Sequence, residues 1–385
     1  MDRTTEQLFS LLNTALWKKE TDYTLFEGKT DWKALFILAQ RQTVFGCVFD
    51  AITTLPTHLL PPKDILLKGH LLQNKTEQYN ELLNDVIRDL CGKLDNAGIR
   101  SVLLKGQGLA QNYPNPLRRS CGDIDLYVGS EKYELAFRKL KEWGMLNEGF
   151  ERRIQHILFE YRGVPIEIHK IAGLLYSPTG FARFIRWSKN LLDGKNGNRF
   201  PCREAEFNGQ SVLLPPVQFD SLFVFSHLYG HLISGGIGLR QIVDFTMYLH
   251  HFNKETDLNI LYRDLNKMGL LKAWKTFGHI VTKYMGLPVE EYPFYDCEYS
   301  ETADFILNRL ILKHGNFGFY GKSDTPRPKG YFSGKLHSFN NLLSYLQYTN
   351  KAFGTANNIN YMMFYIFKGL GNIAGDTMDK LRKRN

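Results

Sequence analysis

The stretch Gly122-Asp123-Ile124-Asp125-Leu126 decides the fold that we predict for this chain. Aspartates alternate there with apolar residues, and this two-residue period is typical of a β-strand. Alternation would place Asp123 and Asp125 side by side on one face of the strand. Two neighbouring carboxylates repel each other unless a cation lies between them, and Mg²⁺ binds carboxylate oxygens and completes its shell with water and phosphate. The alternative is a capping or solvated acidic pair, because Asp-x-Asp is short and common.

A third acid, Glu167, lies in a second alternating run at residues 165–169. The apolar neighbours Ile166 and Ile168 would occupy the opposite face of that strand. We therefore predict that three acids on adjacent strands form one metal site. His169 shares the face of Glu167 and could hydrogen-bond to Glu167 or to a substrate; it could equally be an ordinary histidine at a strand end.

Upstream of the acids, the apolar run at residues 101–104 predicts a short strand that ends in Lys105-Gly106-Gln107-Gly108. Glycines would let backbone N–H groups face a phosphate, and a following helix N-terminus would add partial positive charge. Lys105 or Arg119 could neutralise the phosphate oxygens, and arginine suits bidentate contact. The alternative is that the glycines serve only the turn.

The order of elements around these motifs predicts an α+β fold with a small mixed sheet. Residues 86–175 would form this α/β core, with a hairpin whose strands are residues 157–161 and 165–169. A mainly helical region, residues 1–85, would precede the core. A second mainly helical region, residues 176–385, would follow it and carry a hairpin near 202–214, where Asn208-Gly209 is a strong turn signal.

The net charge and the cysteine content indicate what kind of partner and which cellular compartment to expect. Lys and Arg outnumber Asp and Glu by 48 to 39, and the net charge of +9 favours an anionic partner such as a nucleotide, a nucleic acid or a membrane surface. Five scattered cysteines without a CxxC pair argue against a disulfide framework or a zinc ribbon. The N-terminus does not resemble a signal peptide, and no apolar run approaches the roughly 18 residues of a membrane span. We therefore expect a cytoplasmic protein without a membrane span.

The apolar segment 361–367 and the basic tail 380–384 are the part of the chain that could contact a membrane surface. An interfacial anchor would combine an apolar face with basic residues in this way. The alternative is a core helix with a solvated end. A loop rich in Gly, Lys and Pro is predicted before it, at about residues 315–334.

Several of these motifs together resemble the uncharacterised nucleotidyltransferase family of the DNA polymerase β superfamily, over roughly residues 85–250. The superfamily pattern has a glycine followed by Gly or Ser in the first turn, an Asp-x-Asp on the next strand and a third acid on a later one. Gln107 stands where that pattern has Ser or a second Gly. The matching residues are Leu104-Lys105-Gly106, Tyr113-Pro114, Arg119, the stretch 122–126 and Ile166-Glu167-Ile168-His169.

The resemblance implies a transferase that moves a nucleoside monophosphate from a nucleoside triphosphate to an acceptor hydroxyl and releases pyrophosphate. It implies that Asp123, Asp125 and Glu167 hold two Mg²⁺ ions and carry the chemistry. The acceptor could be a small molecule, a protein side chain or an RNA end. The residues implied in substrate binding are Lys105, Gly106, Gln107, Gly108, Arg119 and His169.

Two other classes of function stay open. The fold could serve as a nucleotide-binding or regulatory module without transfer, which the substitution at Gln107 would favour. The basic chain could instead bind or modify RNA, with aromatic and basic residues of its C-terminal third supplying stacking and phosphate contacts.

The resemblance extends to two helical stretches, His227-x-x-x-His231 and residues 239–244. The histidines lie one turn apart on the same helix face. They do not form the zinc-protease signature, since HLYGH has leucine where HExxH has its glutamate. We expect them to line the cleft or pack at a domain joint, with a zinc site as the alternative. Arg240 and Asp244 are also four residues apart, and we expect a structural pair rather than a catalytic one.

Overall fold

The computed structural model describes residues 1–147, 149–153, 155–173, 178–194, 199–234, 236–314 and 352–353. The predicted loop at 315–334, the apolar segment 361–367 and the basic tail 380–384 lie outside the described residues. Within the described ranges, no helix combines the length and the apolar character that crossing a membrane would require.

The described residues form one seven-stranded mixed sheet, in the order β3-β4-β5-β2-β1-β7-β6. The central strand β2 runs antiparallel to β1 and parallel to β5. This arrangement, with helical regions on either side of it in the chain, confirms the predicted α+β class. The strands are β1 (Val102–Leu104), β2 (Ile124–Tyr127), β3 (Glu151–Arg152), β4 (His156–Tyr161), β5 (Val164–His169), β6 (Arg203–Phe207) and β7 (Gln210–Leu214).

Two hairpins in the sheet have two-residue turns with positive φ angles. Arg162 and Gly163 connect β4 to β5 with φ of 55° and 78°, and Asn208 and Gly209 connect β6 to β7 with φ of 47° and 87°. Such turns match the twist of the strands they join. Val164 therefore belongs to β5, whereas the sequence pattern put it in the loop.

Helices make up most of the rest of the described chain. The longest, α4, follows Pro61-Pro62, and Pro62 is its N-cap residue. A π-helical segment, Leu307–Ile311, separates the last two helices. The helices are α1 (Arg3–Trp17), α2 (Trp32–Arg41), α3 (Phe45–Thr53), α4 (Lys63–Asn96), α5 (Gly106–Ala110), α6 (Gly129–Glu142), α7 (Pro178–Leu192), α8 (Val217–Ser234), α9 (Leu239–Phe252), α10 (Leu258–Met268), α11 (Leu271–His279), α12 (Ser300–Ile306) and α13 (Leu312–His314).

The sheet separates two apolar cores, because alternate residues of each strand point to opposite faces. Leu103 and Leu126 belong to a core shared with α4 and α6. Val102, Leu104 and Tyr127 belong to the other core, which joins the N-terminal helices to α8, α9 and α11. Asp125 alternates with Leu126, so it faces the second of these helical layers.

The predicted division into residues 1–85, 86–175 and 176–385 stays a proposal for the organisation of the chain. Two features cross its boundaries. Helix α4 is continuous through residue 85, and β7 pairs in parallel with β1 through Val102 and Leu213. The hairpin near 202–214 thus extends the sheet of the core.

Candidate active site

Two of the three predicted acids are partners on neighbouring strands. The parallel register of β2 and β5 pairs Asp125 with Glu167, and paired strands lie about 4.8 Å apart. Asp125 is buried and Glu167 is partly buried. Asp123 lies one residue before β2 and is exposed to solvent. The three acids are thus neighbours, and their exposure to solvent increases from Asp125 through Glu167 to Asp123.

Asp125 is held by two basic groups. Its Oδ2 lies 3.0 Å from Lys105 Nζ, and its Oδ1 lies 2.7 Å from His169 Nε2. Burial raises the pKa of Asp125, but Lys105 and His169 outweigh this effect and hold that pKa well below its usual range. Asp125 is therefore ionised at neutral pH.

His169 joins Asp125 to Glu167, as its Nε2 also lies 3.2 Å from Glu167 Oε2. Burial lowers the pKa of His169, but its contacts with the two carboxylates outweigh burial and raise that pKa. The same contact lowers the pKa of Glu167. The predicted partnership of His169 with Glu167 is present, and Asp125 is a second partner that alternation alone did not indicate.

The exposed acid, Asp123, has the chemistry of a cation ligand. The negative charge of Asp125 raises the pKa of Asp123, which is the sign of two carboxylates that repel each other. In the part of the chain that the structure describes, no side chain hydrogen-bonds the Asp123 carboxylate. A divalent cation with oxygen ligands would relieve this repulsion, so the donor set fits Mg²⁺.

Lys105 follows β1 and has an unusual backbone conformation. Its φ of 52° and ψ of −145° lie outside the regions that residues with a Cβ commonly adopt. Such a conformation costs about 1–3 kcal/mol and is found most often at functional sites. It turns the chain into α5 while the side chain reaches Asp125, so the turn places a cation beside the acids.

Residues 28–286 match the family model described as "Uncharacterised nucleotidyltransferase". The chain belongs to this family. Membership confirms the resemblance and supports a general nucleotidyl-transfer activity with a nucleotide substrate. The matched range includes β1 to β7, and therefore the three acids.

Similarity to other known proteins is weak. A solved structure of an antigenic nucleotidyltransferase-like protein from Paracoccidioides brasiliensis is similar at 14% identity, over 57% of this chain and 96% of that chain, with a TM-score of 0.31. A likeness of that strength supports no conclusion about this chain. No curated protein matches it.

In this nucleotidyltransferase family member, the fold engages the side chain of Gln107. The side chain is 2% exposed, and its Nε2 donates to Asn80 Oδ1 at 2.9 Å. Asn80 in turn donates to the carbonyl of Arg119 at 2.9 Å. Gln107 thus fixes α5 to α4 through its side chain, and its predicted contact with the substrate stays a prediction.

Gly108 is also engaged by the fold. Its N–H donates to the Lys105 carbonyl at 2.9 Å, and an added Cβ would lie 3.0 Å from Leu214 Cδ2. Gly108 therefore allows close packing against β7 and uses its N–H within the turn, and its predicted part in substrate binding stays a prediction. The N–H groups of Gly106 and Gln107, at the start of α5, have no intrahelical acceptor, so they stay candidates for a phosphate contact.

Arg119 is buried and pairs with Asp244. It is 5% exposed, and its Nε and Nη2 each donate to Asp244 at 2.7 Å. Tyr113 Oη donates to the same carboxylate at 2.7 Å. This buried network attaches α9 to the loop before β2. These contacts engage the Arg119 side chain in the fold, and its predicted substrate role stays a prediction. Asp244 forms its close ion pair with Arg119 rather than with Arg240.

Arg240 lies near the acids, a position that sequence reasoning did not indicate. Its Nη1 donates to the Ser120 carbonyl at 2.7 Å, and its Nε is buried without a hydrogen-bond partner in the described chain. Its charge lowers the pKa of Asp123, so the guanidinium lies near the acids. Arg240 is four residues before Asp244, and this spacing predicted a structural pair within the helix. It gave no indication that Arg240 lies near the acids.

The two histidines of α8 lie near Lys105, whose charge acts on both of them. The rings of His227 and His231 lie 4.4 Å apart at 81°. Burial lowers the pKa of His227 well below its usual value, and the charge of Lys105 lowers it further. That the two histidines line the cleft or pack at a domain joint stays a prediction. In the described residues, neither histidine belongs to a group that could hold a metal ion.

The described residues contain one group of potential metal ligands that includes histidine: His156, Glu167 and His169. Their donor atoms lie within 4.8 Å of one another. His156 was missed from sequence because its place depends on the hairpin register, which pairs it with His169.

Proposed function

We propose that this chain transfers a nucleoside monophosphate from a nucleoside triphosphate to an acceptor hydroxyl and releases pyrophosphate. The observation that carries the proposal is the register of β2 with β5, which puts Asp125 beside Glu167 and leaves Asp123 open to solvent. The proposed metal ligands are Asp123, Asp125 and Glu167. When bound, two Mg²⁺ ions would neutralise phosphate charge and stabilise the attacking and leaving oxygens of an in-line displacement.

Glu167 and His169 have different roles in the proposed reaction. Glu167 has a lowered pKa and is ionised, so it can accept the proton of the acceptor hydroxyl. The acceptor oxygen then bonds to the α-phosphorus, and the bond from that phosphorus to the bridging oxygen breaks. Pyrophosphate leaves with the electron pair. His169 is a positioning residue, because it holds Asp125 and Glu167 in place.

Two cationic side chains are proposed to bind the triphosphate. Lys105 Nζ lies against Asp125 and is partly exposed, so it can reach from the acids to a phosphate oxygen. Among the described residues, Arg240 Nε is buried and has no hydrogen-bond partner. The charge of Arg240 acts on Asp123, and a guanidinium suits bidentate contact with phosphate.

Replacing Arg240 with methionine is expected to weaken triphosphate binding about tenfold or more, since hydrogen bonds to charged groups contribute about 1.5–3 kcal/mol. Calorimetric titration with a non-hydrolysable triphosphate and Mg²⁺ would measure the dissociation constant. Arg263→Met is the control, because Arg263 lies on the exposed side of α10 and pairs with Asp264. Equal affinities of wild type and Arg240→Met would remove Arg240 from the site.

The proposed function is tested by pyrophosphate release. Wild-type protein is incubated with each triphosphate, Mg²⁺ and a cell extract as the source of acceptor, beside Asp123→Asn. We expect Mg²⁺-dependent release by wild type and none above background by the variant. Nucleotide binding without release would favour the binding module. RNA binding with a steep salt dependence and no release would favour the RNA-binding class.

A further inference from the structure

We propose that His156, Glu167 and His169 form a binding site for a first-row transition-metal ion beside the acidic Mg²⁺ site. The three residues lie on two adjacent strands, β4 and β5, and their donor atoms lie within 4.8 Å of one another. Two ligands on one ion, each about 2.1 Å from it, are separated by roughly 3–4 Å. Small side-chain adjustments would therefore complete the site.

The sheet holds these ligands on one face. The antiparallel register of β4 with β5 pairs His156 with His169 and Leu158 with Glu167. Because side chains alternate along a strand, His156 shares the face of His169 and Glu167. Ligands carried by paired strands are positioned more precisely than ligands on loops.

An independent observation is the state of His156. Its Nε2 is buried and has no hydrogen-bond partner in the described chain. Buried polar atoms nearly always have a partner, so such an exception needs a reason. A metal ion bound by His156 would supply the missing interaction. The ring lies 5.4 Å from that of His169, centroid to centroid.

The donor set indicates the kind of metal. Imidazole nitrogens favour Zn²⁺ and neighbouring transition metals, whereas Mg²⁺ prefers oxygen ligands. Two histidines and one glutamate leave a coordination position open, as in catalytic zinc sites. Asp123 and Asp125 offer only oxygen, so the two sites differ in metal preference. Glu167 has two carboxylate oxygens and is the residue that the sites share.

The inference does not depend on nucleotidyl transfer, because its readout is metal binding without nucleotide. The full chain is stripped of metal and titrated with Co²⁺ in excess Mg²⁺, and the visible absorption of bound Co²⁺ is recorded. We expect one equivalent of Co²⁺ to bind and to be displaced by Zn²⁺ but not by Mg²⁺. Co²⁺ that binds no better than Mg²⁺ would overturn the proposal.

Variants locate the ion. His156→Ala is expected to weaken Co²⁺ binding by about 100-fold or more, since even outer partners of ligands contribute 10–100-fold. His58→Ala is the matched control, as His58 is exposed and remote in sequence, and it should bind Co²⁺ as wild type does. Full Co²⁺ affinity in His156→Ala would overturn the proposal.

A third variant guards against simple unfolding of His156→Ala. His156→Cys keeps a metal ligand and should add a thiolate-to-Co²⁺ charge-transfer band in the near ultraviolet. Absence of that band in folded, Co²⁺-loaded His156→Cys would contradict coordination at residue 156. Pyrophosphate release without Co²⁺ binding would reject this metal site and leave the proposed function standing. Co²⁺ binding without pyrophosphate release would support this metal site and reject the proposed function.

Discussion

Replacing Asp125 with asparagine is expected to reduce nucleotidyl transfer at least about 10³-fold, as losing one preorganised electrostatic contact to the transition state can cost that much. Asp125 is the buried acid at the centre of the site and contacts Lys105 and His169. An amide is neutral, so the variant would hold a divalent cation poorly. The rate of pyrophosphate release at saturating triphosphate measures the effect.

The structure adds a cost in stability that the sequence did not indicate. Asp125→Asn would leave Lys105 and His169 without their shared carboxylate, and breaking a buried ion pair costs about 3–5 kcal/mol. Lys105 keeps some solvent contact, so we expect a loss near the lower end of that range. Equilibrium unfolding in urea would measure the change in free energy.

Asp123→Asn is expected to abolish transfer without lowering the free energy of unfolding. Asp123 is exposed, and its pKa is raised by repulsion from Asp125, so its loss should leave the free energy of unfolding unchanged or slightly higher. Transfer should still fall to background. Full activity in either aspartate variant would contradict the proposed role of these acids.

Asp244→Leu is expected to lower the free energy of unfolding by about 3–5 kcal/mol, because it leaves Arg119 as an unpaired buried charge. Both guanidinium contacts to Asp244 are 2.7 Å long, and Tyr113 would lose its acceptor as well. The double variant Arg119→Met with Asp244→Leu should recover part of the loss, since apolar replacements of a buried pair are often tolerated. Equilibrium unfolding in urea compares the three proteins.

The surface ion pair of Arg199 with Asp257 is the control for the change in free energy of unfolding. Arg199 pairs with Asp257 at the surface, with 65% of the arginine side chain exposed, so Arg199→Met should change stability by less than about 1 kcal/mol. If Arg119 bound triphosphate instead, Arg119→Met would weaken nucleotide binding and leave stability unchanged. That result would contradict the structural role.

Local patterns were enough to predict much of the fold. Alternation placed β2 and β5, and the Asn208-Gly209 turn predicted the hairpin that the structure shows. These signals depend only on residues near one another in sequence. The pairing of β7 with β1 depends on residues more than a hundred positions apart, and no local pattern encodes it. The two-residue strand β3 is too short to produce a pattern.

The candidate site was predictable where chemistry and strand period agree. Asp125 and Glu167 follow from alternation on two strands, and the register between those strands makes them neighbours. The roles of Arg119 and Gln107 were not predictable, since Asp244 and Asn80 are their partners only after folding. His156 and Arg240 were missed for the same reason, because tertiary packing brings them to the acids.

We propose that the α-phosphate of a triphosphate, together with its nucleoside, is transferred to an acceptor at the site of Asp123, Asp125 and Glu167. The most direct measurement supplies triphosphates labelled at either the α- or the γ-phosphate to the protein, Mg²⁺ and a cell extract. With the wild-type protein, we predict that α-label enters an acceptor and that γ-label appears only in pyrophosphate. With Asp123→Asn, we predict no α-labelled acceptor and no labelled pyrophosphate. Label transferred from the γ-position, or equal α-labelling by Asp123→Asn, would contradict this claim.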